Sequence, residues 1–399
     1  MKTRILFVDD EPLVLQGLQR MLHGERKHWE MDFVGSGPEA LRQLETRAFD
    51  VVVSDMRMPG MDGAQLLNEV MRRHPHTVRF ILSGHADRSM VMRCVGSTHQ
   101  FLSKPCDVDG LRSTLARAGA LKESLVDEDL RRLVGRIREL PSLPRLYHEI
   151  QARLVEPDVD LAGIGALVAQ DVGMTADILK LVNSGFFGLG RGITNAAEAV
   201  GYLGVETIKT LVLTMHVFSN ATEAPLPEGF LESLRRHSVD VALLARAIAE
   251  SESLDRPQCD SAFAAGMLHD IGRLILREHL PEACDEAERF AAARALPVWL
   301  AEVAVHGASY ADLGAYLLGL WGLPHPVVEA IKFQHRPSLV SGSVLCPLGV
   351  LHVADAFVTA ERWGTEPEAE AILDTEFVER LGLTERLRVW RTLVRSPRN

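Results

Sequence analysis

Four short apolar runs in the first part of this sequence each end in a group that can handle a phosphoryl ester. Ile5-Leu6-Phe7-Val8 runs into Asp9 and Asp10, Val51-Val52-Val53 into Ser54-Asp55, Phe80-Ile81-Leu82 into Ser83, and Phe101-Leu102 towards Lys104-Pro105. If the runs are parallel strands, these acids, hydroxyl and amine meet where an open parallel sheet binds ligands, at the carboxyl ends of its strands. Converging carboxylates repel one another, and a hard divalent cation such as Mg²⁺ relieves that repulsion and bridges carboxylate to phosphoryl oxygen. Asp55 is then placed to be a nucleophile towards phosphorus, with Lys104 and the Ser83 hydroxyl holding the oxygens of the transferred group.

The pattern predicts the elements that would position these groups. Strands are expected near 4–8, 31–34, 51–54, 78–82 and 100–103, alternating with helical periodicity. Pro12 suits a first helical turn, with Leu15, Leu18 and Leu22 on one face. Ser36-Gly37-Pro38-Glu39 reads as a capping box, and Asp62 as the cap of a helix carrying Leu66, Leu67 and Val70. Such β-α alternation implies a doubly wound, flavodoxin-like parallel sheet of five strands with right-handed crossovers.

With 399 residues, the chain is too long for one ordinary core. A formal net charge of −11 argues against non-specific nucleic-acid or acidic-lipid binding. Five cysteines without a CxxC pair read as reduced thiols, and the short amino-terminal apolar run does not read as a signal peptide. No apolar stretch approaches membrane-spanning length, so a cytoplasmic location is the expectation.

Beyond about residue 120 the strand pattern stops. Residues 121–140 read as a helical linker in which Leu130, Leu133, Val134, Ile137 and Leu140 make an apolar face that could also form a homodimer. Residues 141–399 read as an all-α domain with a core over about 141–340. Helices are expected near 143–154, 161–170, 174–184, 194–201, 205–219, 230–250, 258–267, 272–277, 281–294, 298–304, 309–320, 325–333, 344–363, 366–372, 376–381 and 384–394. A helix-Gly-helix stretch at 198–213 has one Lys and one Glu on its would-be recognition helix, and this is no basic footprint for DNA.

The set Asp9, Asp10, Asp55, Ser83, Phe101 and Lys104-Pro105 resembles the receiver domain of two-component response regulators over residues 3–118. That resemblance implies phosphorylation of Asp55 by a partner histidine kinase. It also implies Mg²⁺ held by Asp10, Asp55 and the Arg57 carbonyl with help from Asp9, and Ser83 with Phe101 as a switch pair. The later stretches Leu140-Pro141-Ser142-Leu143-Pro144, Gln170 to Thr175, Leu179 to Ser184, Ala196 to Leu213 and Gly266 to Gly272 together resemble the HD-related output domain (HDOD). This second resemblance implies an output that binds a downstream signalling protein, without turnover chemistry and without a metal at its centre.

The wider HD superfamily of phosphohydrolases uses a His, a His-Asp doublet and a distant Asp on a divalent metal. Here His237, His269-Asp270 and Asp355 match it, and His306 and His335 resemble the extra histidines of the cyclic-dinucleotide phosphodiesterase branch. Against that branch stand its absent Gly-Tyr-Pro motif and Gln334-His335 in place of its His-His doublet; the alternative function is a phosphorylation-gated, metal-dependent HD-type phosphohydrolase similar to the cyclic-dinucleotide phosphodiesterases.

Overall fold

The computed structural model describes residues 2–83, 97–104, 108–124, 130, 133–134, 137, 149–150, 153–154, 159–183, 192–204, 226–342, 344–363 and 372–394. The chain forms two compact units. One is Met1–Glu139 with Lys180–Gly192 and Tyr316–Gly322; the other is Leu140–Leu179 with Ile193–Ala315 and Leu323–Asn399.

The first unit is built on β1 (Thr3–Val8), β2 (Trp29–Val34), β3 (Val51–Asp55), β4 (Val78–Ser83) and β5 (Gln100–Ser103). These pair in parallel in the order β2-β1-β3-β4-β5. The chain reverses its direction of winding between β1 and β3, the crevice in which doubly wound sheets place their ligands. All five residues of β3 are buried, which is why it reads as an unbroken apolar run without alternation.

Helices α1 (Pro12–Met21), α2 (Gly37–Thr46), α3 (Gly63–Arg73) and α4 (Val108–Ser124) complete the described part of the alternation. Asp62 caps α3 through a full capping box with Gln65. The box expected at Ser36 is not made: the Ser36 side chain bonds no backbone N–H, and Glu39 accepts from Gly35 N at 3.1 Å. A carboxylate on a flexible stem takes whichever free N–H is nearest, and here that is Gly35, one residue ahead of the cap position. Leu130, Val134 and Ile137 of the connector are buried within the chain.

The second unit is helical throughout its described residues. It contains α5 (Leu161–Val168) and, shared with the first unit at its end, α6 (Val172–Val182). Then follow α7 (Phe230–Ser251), α8 (Arg256–Leu268), α9 (Ile271–His279), α10 (Pro281–Arg294), α11 (Val298–His306) and α12 (Tyr310–Leu320), whose end from Tyr316 belongs to the first unit. The last are α13 (His325–Phe333), α14 (Pro347–Trp363), α15 (Thr375–Arg380) and α16 (Thr384–Val394).

One stripe of α7 is buried, through Leu234, Val241, Ala242, Ala245, Ile248 and Ala249. It packs on α8 and α14. The closest approach is at Gly266 of α8, where an added Cβ would stand 2.5 Å from Ala242 Cα. Only glycine lets these helices meet so tightly, and that approach brings the residues at the end of α8 against α7. Leu351, Val353, Ala354 and Ala356 of α14 are fully buried, as expected of a helix at the centre of a core. Among the described residues no single helix is long and apolar enough to cross a membrane. The stretch 205–213 read for DNA binding lies outside the described residues.

Candidate functional site

At the carboxyl edge of the sheet, β1 delivers Asp9 and β3 delivers Asp55. Both are buried, at 1% and 7% exposure. Lys104, just past β5, places its ammonium between them: Nζ donates to Asp9 Oδ2 at 2.8 Å and makes a close ion pair with Asp55 Oδ1. The Arg57 N–H donates to Asp55 Oδ2 at 2.7 Å, and the Glu11 N–H to Asp9 Oδ1 at 2.9 Å. Gly63 opens α3 directly behind Asp55; a Cβ there would fall 2.2 Å from the Asp55 carbonyl oxygen.

Burial pushes the Asp55 carboxyl above its ordinary range, and Lys104 and the Arg57 N–H offset that only in part. Desolvation works against the Lys104 charge, yet its bonds to Asp55 and Asp9 hold it above the usual lysine value. Two buried carboxylates share one ammonium, and the exposed Asp10 follows Asp9 in the chain. The excess of negative charge fits a divalent cation, for which Asp9, Asp10, Asp55 and the Arg57 carbonyl are the ligands at hand. Phe101 is 2% exposed, its ring inside the unit. The Ser83 side chain and Pro105 lie outside the described residues.

The second cluster is assembled by α7, the α8–α9 junction and α14. His237, His269 and Asp270 offer ligand atoms within 4.8 Å of one another. Asp355 Oδ1 lies 3.1 Å from His237 Nε2 and 3.7 Å from His269 Nε2. His269 is wholly buried, and its Nδ1 lies 2.7 Å from the Gly266 carbonyl, so Nδ1 carries the hydrogen. Among the described residues its Nε2 has no hydrogen-bond partner; it faces Asp270 Oδ1 at 3.5 Å, which also has none there. A bare lone pair aimed at two carboxylates calls for a cation between them, either a proton or a metal ion.

Part of that charge is already compensated. Arg273, one turn beyond Asp270, donates from Nη1 to Asp270 Oδ2 at 3.0 Å. Desolvation opposes the charge of His237, but the Asp355 carboxylate bonded to it lifts its pKa above the ordinary histidine value. Asp355 is correspondingly held far below the usual carboxylate range: the cost of burial is overcome by His237 and His269.

His306 and His335 do not join this cluster. His306 Nε2 donates to the Ala283 carbonyl at 3.1 Å, and His335 Nε2 meets the Tyr310 hydroxyl at 2.8 Å with its ring stacked on Trp299. Burial pushes His335 down to about 4. Other residues complete the surroundings. Gln334 Nε2 donates to the His269 carbonyl at 3.1 Å, and Tyr310 lies under the Arg273 guanidinium at 5.0 Å. Arg273 alone had a readable signal, its i+3 spacing from Asp270.

Glu302 on α11 lines the cavity beside this cluster and accepts the Tyr310 N–H at 2.7 Å. Burial raises its pKa to about 7, Asp270 and Glu288 add to the rise, and the Tyr310 N–H and Arg273 oppose it. The folded chain therefore binds a proton at Glu302 that the unfolded chain releases at a lower pH. Stability is lost as pH climbs from the ordinary glutamate value of 4.5 through about 7. Glu302→Gln keeps an acceptor for Tyr310 without the charge. Chemical denaturation should find it near wild type at pH 5 and more stable at pH 8, by up to about 3 kcal/mol. A variant equally or less stable at pH 8 contradicts the assignment.

Comparison with known proteins gives two family matches: the response regulator receiver domain over residues 5–116 and the HDOD domain over 140–337. A signal receiver domain of an HD domain-containing protein from Pseudomonas fluorescens Pf-5 is 31% identical. The match covers 31% of this chain and 100% of that one, with a TM-score of 0.30. A virulence factor from Campylobacter jejuni is 17% identical with a TM-score of 0.51, covering 69% of this chain and all of that one, which speaks to the fold alone. The C4-dicarboxylate transport transcriptional regulatory protein DctD of Pseudomonas aeruginosa is 29% identical over 192 residues, 46% of this chain and 38% of its own length. The chain spans about two fifths of the length of the curated relatives it matches first.

Proposed function

We propose that this chain, which belongs to the response regulators and joins a receiver domain to an HDOD domain, accepts a phosphoryl group on Asp55 from a histidine kinase and signals by binding a protein partner through its helical half. The observation that carries the reading is Asp55, at the end of the fully buried β3, sharing the Lys104 ammonium with Asp9.

The Arg57 N–H fixes one oxygen of Asp55. An Asp55 oxygen attacks phosphorus, the nitrogen–phosphorus bond of the donor breaks, and its electron pair returns to the kinase imidazole. Lys104 is close enough to neutralise the incoming oxygens. Asp9, Asp10, Asp55 and the Arg57 carbonyl would hold Mg²⁺, which would supply further charge neutralisation. In the output half, Arg273 compensates Asp270 Oδ2 and His237 pairs with Asp355, and the partner-binding role rests on the HDOD match.

Hydrogen exchange on the full chain, with and without beryllofluoride as a phosphoryl mimic, tests the coupling. Changed exchange within residues 119–145 is expected, because signalling elements are drawn from the less stable parts of a fold. Unchanged exchange there, with protection around Ser83 and Phe101, would contradict transmission through the connector.

A second reading has its own observation, the bare Nε2 of His269 beside the unpartnered Asp270 Oδ1. There His237, His269, Asp270 and Asp355 hold one divalent ion, which would supply an activated water for a phosphoester. His306 and His335, engaged elsewhere, contribute no second ion site to that reading.

A further inference from the structure

A cavity of about 210 Å³ opens beside the histidine–aspartate centre. Ser233 and His237 from α7, Arg273 and Arg277 from α9, Glu288 from α10 and Glu302 from α11 are among its lining residues. The two arginines differ in what they have left to offer. Arg277 is taken up by Asp285 and Glu288, with 15% of its side-chain surface open. Among the described residues Arg273 gives a single hydrogen bond, to Asp270, and 43% of its side-chain surface is open.

The Asp270 charge holds the Arg273 pKa above its ordinary value against the cost of desolvation. Arg273 is itself a lining residue, so its open surface borders the cavity. A guanidinium carries five N–H donors in a planar fork, so most of this one remains unspent. Asp270 on one edge and the Tyr310 ring at 5.0 Å fix its plane, so a ligand would meet a donor that is already oriented. His237 lines the same cavity, and its Nδ1 also has no hydrogen-bond partner.

We propose that this cavity binds the oxyanion group of a small molecule, with the Arg273 guanidinium as its two-pronged partner. The site makes the helical half a ligand-responsive module, beyond the phosphoacceptor role of the receiver. It requires no metal at the neighbouring centre. Phosphoryl and carboxylate groups share the needed chemistry, because both present two oxygens at the spacing of the fork.

Calorimetric titration of the full chain in EDTA, with inorganic phosphate and with acetate, tests it. Saturable binding of one or both is expected. Preference for phosphate identifies a phosphoryl ligand, and preference for acetate a carboxylate. Arg273→Gln should weaken binding about tenfold to a hundredfold, the equivalent of a charge-assisted hydrogen bond. Arg273→Lys should keep part of it. Arg256→Gln, which removes an 86% exposed guanidinium, should change nothing.

The unsubstituted chain gives an independent reading. Saturating amounts of the bound probe should slow modification of Arg273 by phenylglyoxal, followed by mass spectrometry, while Arg256 keeps reacting. Absence of saturable binding, an equal loss in Arg256→Gln, or Arg273 modified at the same rate with and without the probe would each overturn the proposal.

Discussion

Asp55→Asn should abolish acid-labile labelling of the chain by a small phosphodonor such as acetyl phosphate, and removing Mg²⁺ from the wild type should do nearly the same. The amide has the shape of the carboxylate and can still accept the Arg57 N–H, which bonds Asp55 at 2.7 Å, so the fold should survive. What is lost is the only carboxylate oxygen at the end of β3 that can form an acyl phosphate. Asp9, bonded like Asp55 to a backbone N–H and to Lys104, is the more deeply buried of the two, at 1% against 7% exposure, and is the less open to an incoming donor. The metal requirement follows from charge, since without a cation the carboxylates repel an incoming phosphoryl dianion. Equal labelling of wild type and Asp55→Asn would remove the phosphoacceptor assignment.

Asp355→Ala should destabilise the helical half by about 3–5 kcal/mol, the usual cost of stripping one partner from a buried ion pair. The carboxylate receives His237 at 3.1 Å, lies 3.7 Å from His269 and accepts the Thr359 hydroxyl at 3.2 Å. The pair contributes over a bounded pH window. The Asp355 share is present above 3.8 and lost as pH falls through its depressed folded value. The His237 share is present below 6.5 and lost as pH rises through its raised folded value. The difference between wild type and variant should therefore be largest between those limits. Urea denaturation followed by circular dichroism, with and without EDTA, reads it. The expected result is a loss that chelation does not alter. If EDTA instead brings wild type down to the variant, a bound metal is the keystone, and the phosphohydrolase reading replaces the partner-binding one.

The receiver was legible because every signal in it is local. Val51 to Asp55 reads as a buried strand from its own residues, and Asp62 with Gln65 makes its capping box within one helical turn. Helix limits at Pro281–Arg294, His325–Phe333 and Thr384–Val394 agree with the periodicity because Pro, Gly and charged residues punctuate those segments. The cap expected at Ser36 failed because two N–H groups compete for Glu39, and spacing alone does not say which is free.

For the helical half, the sequence by itself determined the helices and the residue types able to ligate a metal or bind a phosphate. Only the tertiary structure decided which of them meet. Six histidine and aspartate positions had equal standing as letters; packing gathered His237, His269, Asp270 and Asp355 and sent His306 to a carbonyl and His335 to Tyr310. It also turned Arg273 from one more charge on a helix into an open donor beside a cavity. The reason is geometric: periodicity specifies which face of a helix a residue occupies, whereas convergence across α7, α9 and α14 depends on helix spacing, set here by contacts such as Gly266 on Ala242 between residues far apart in the chain.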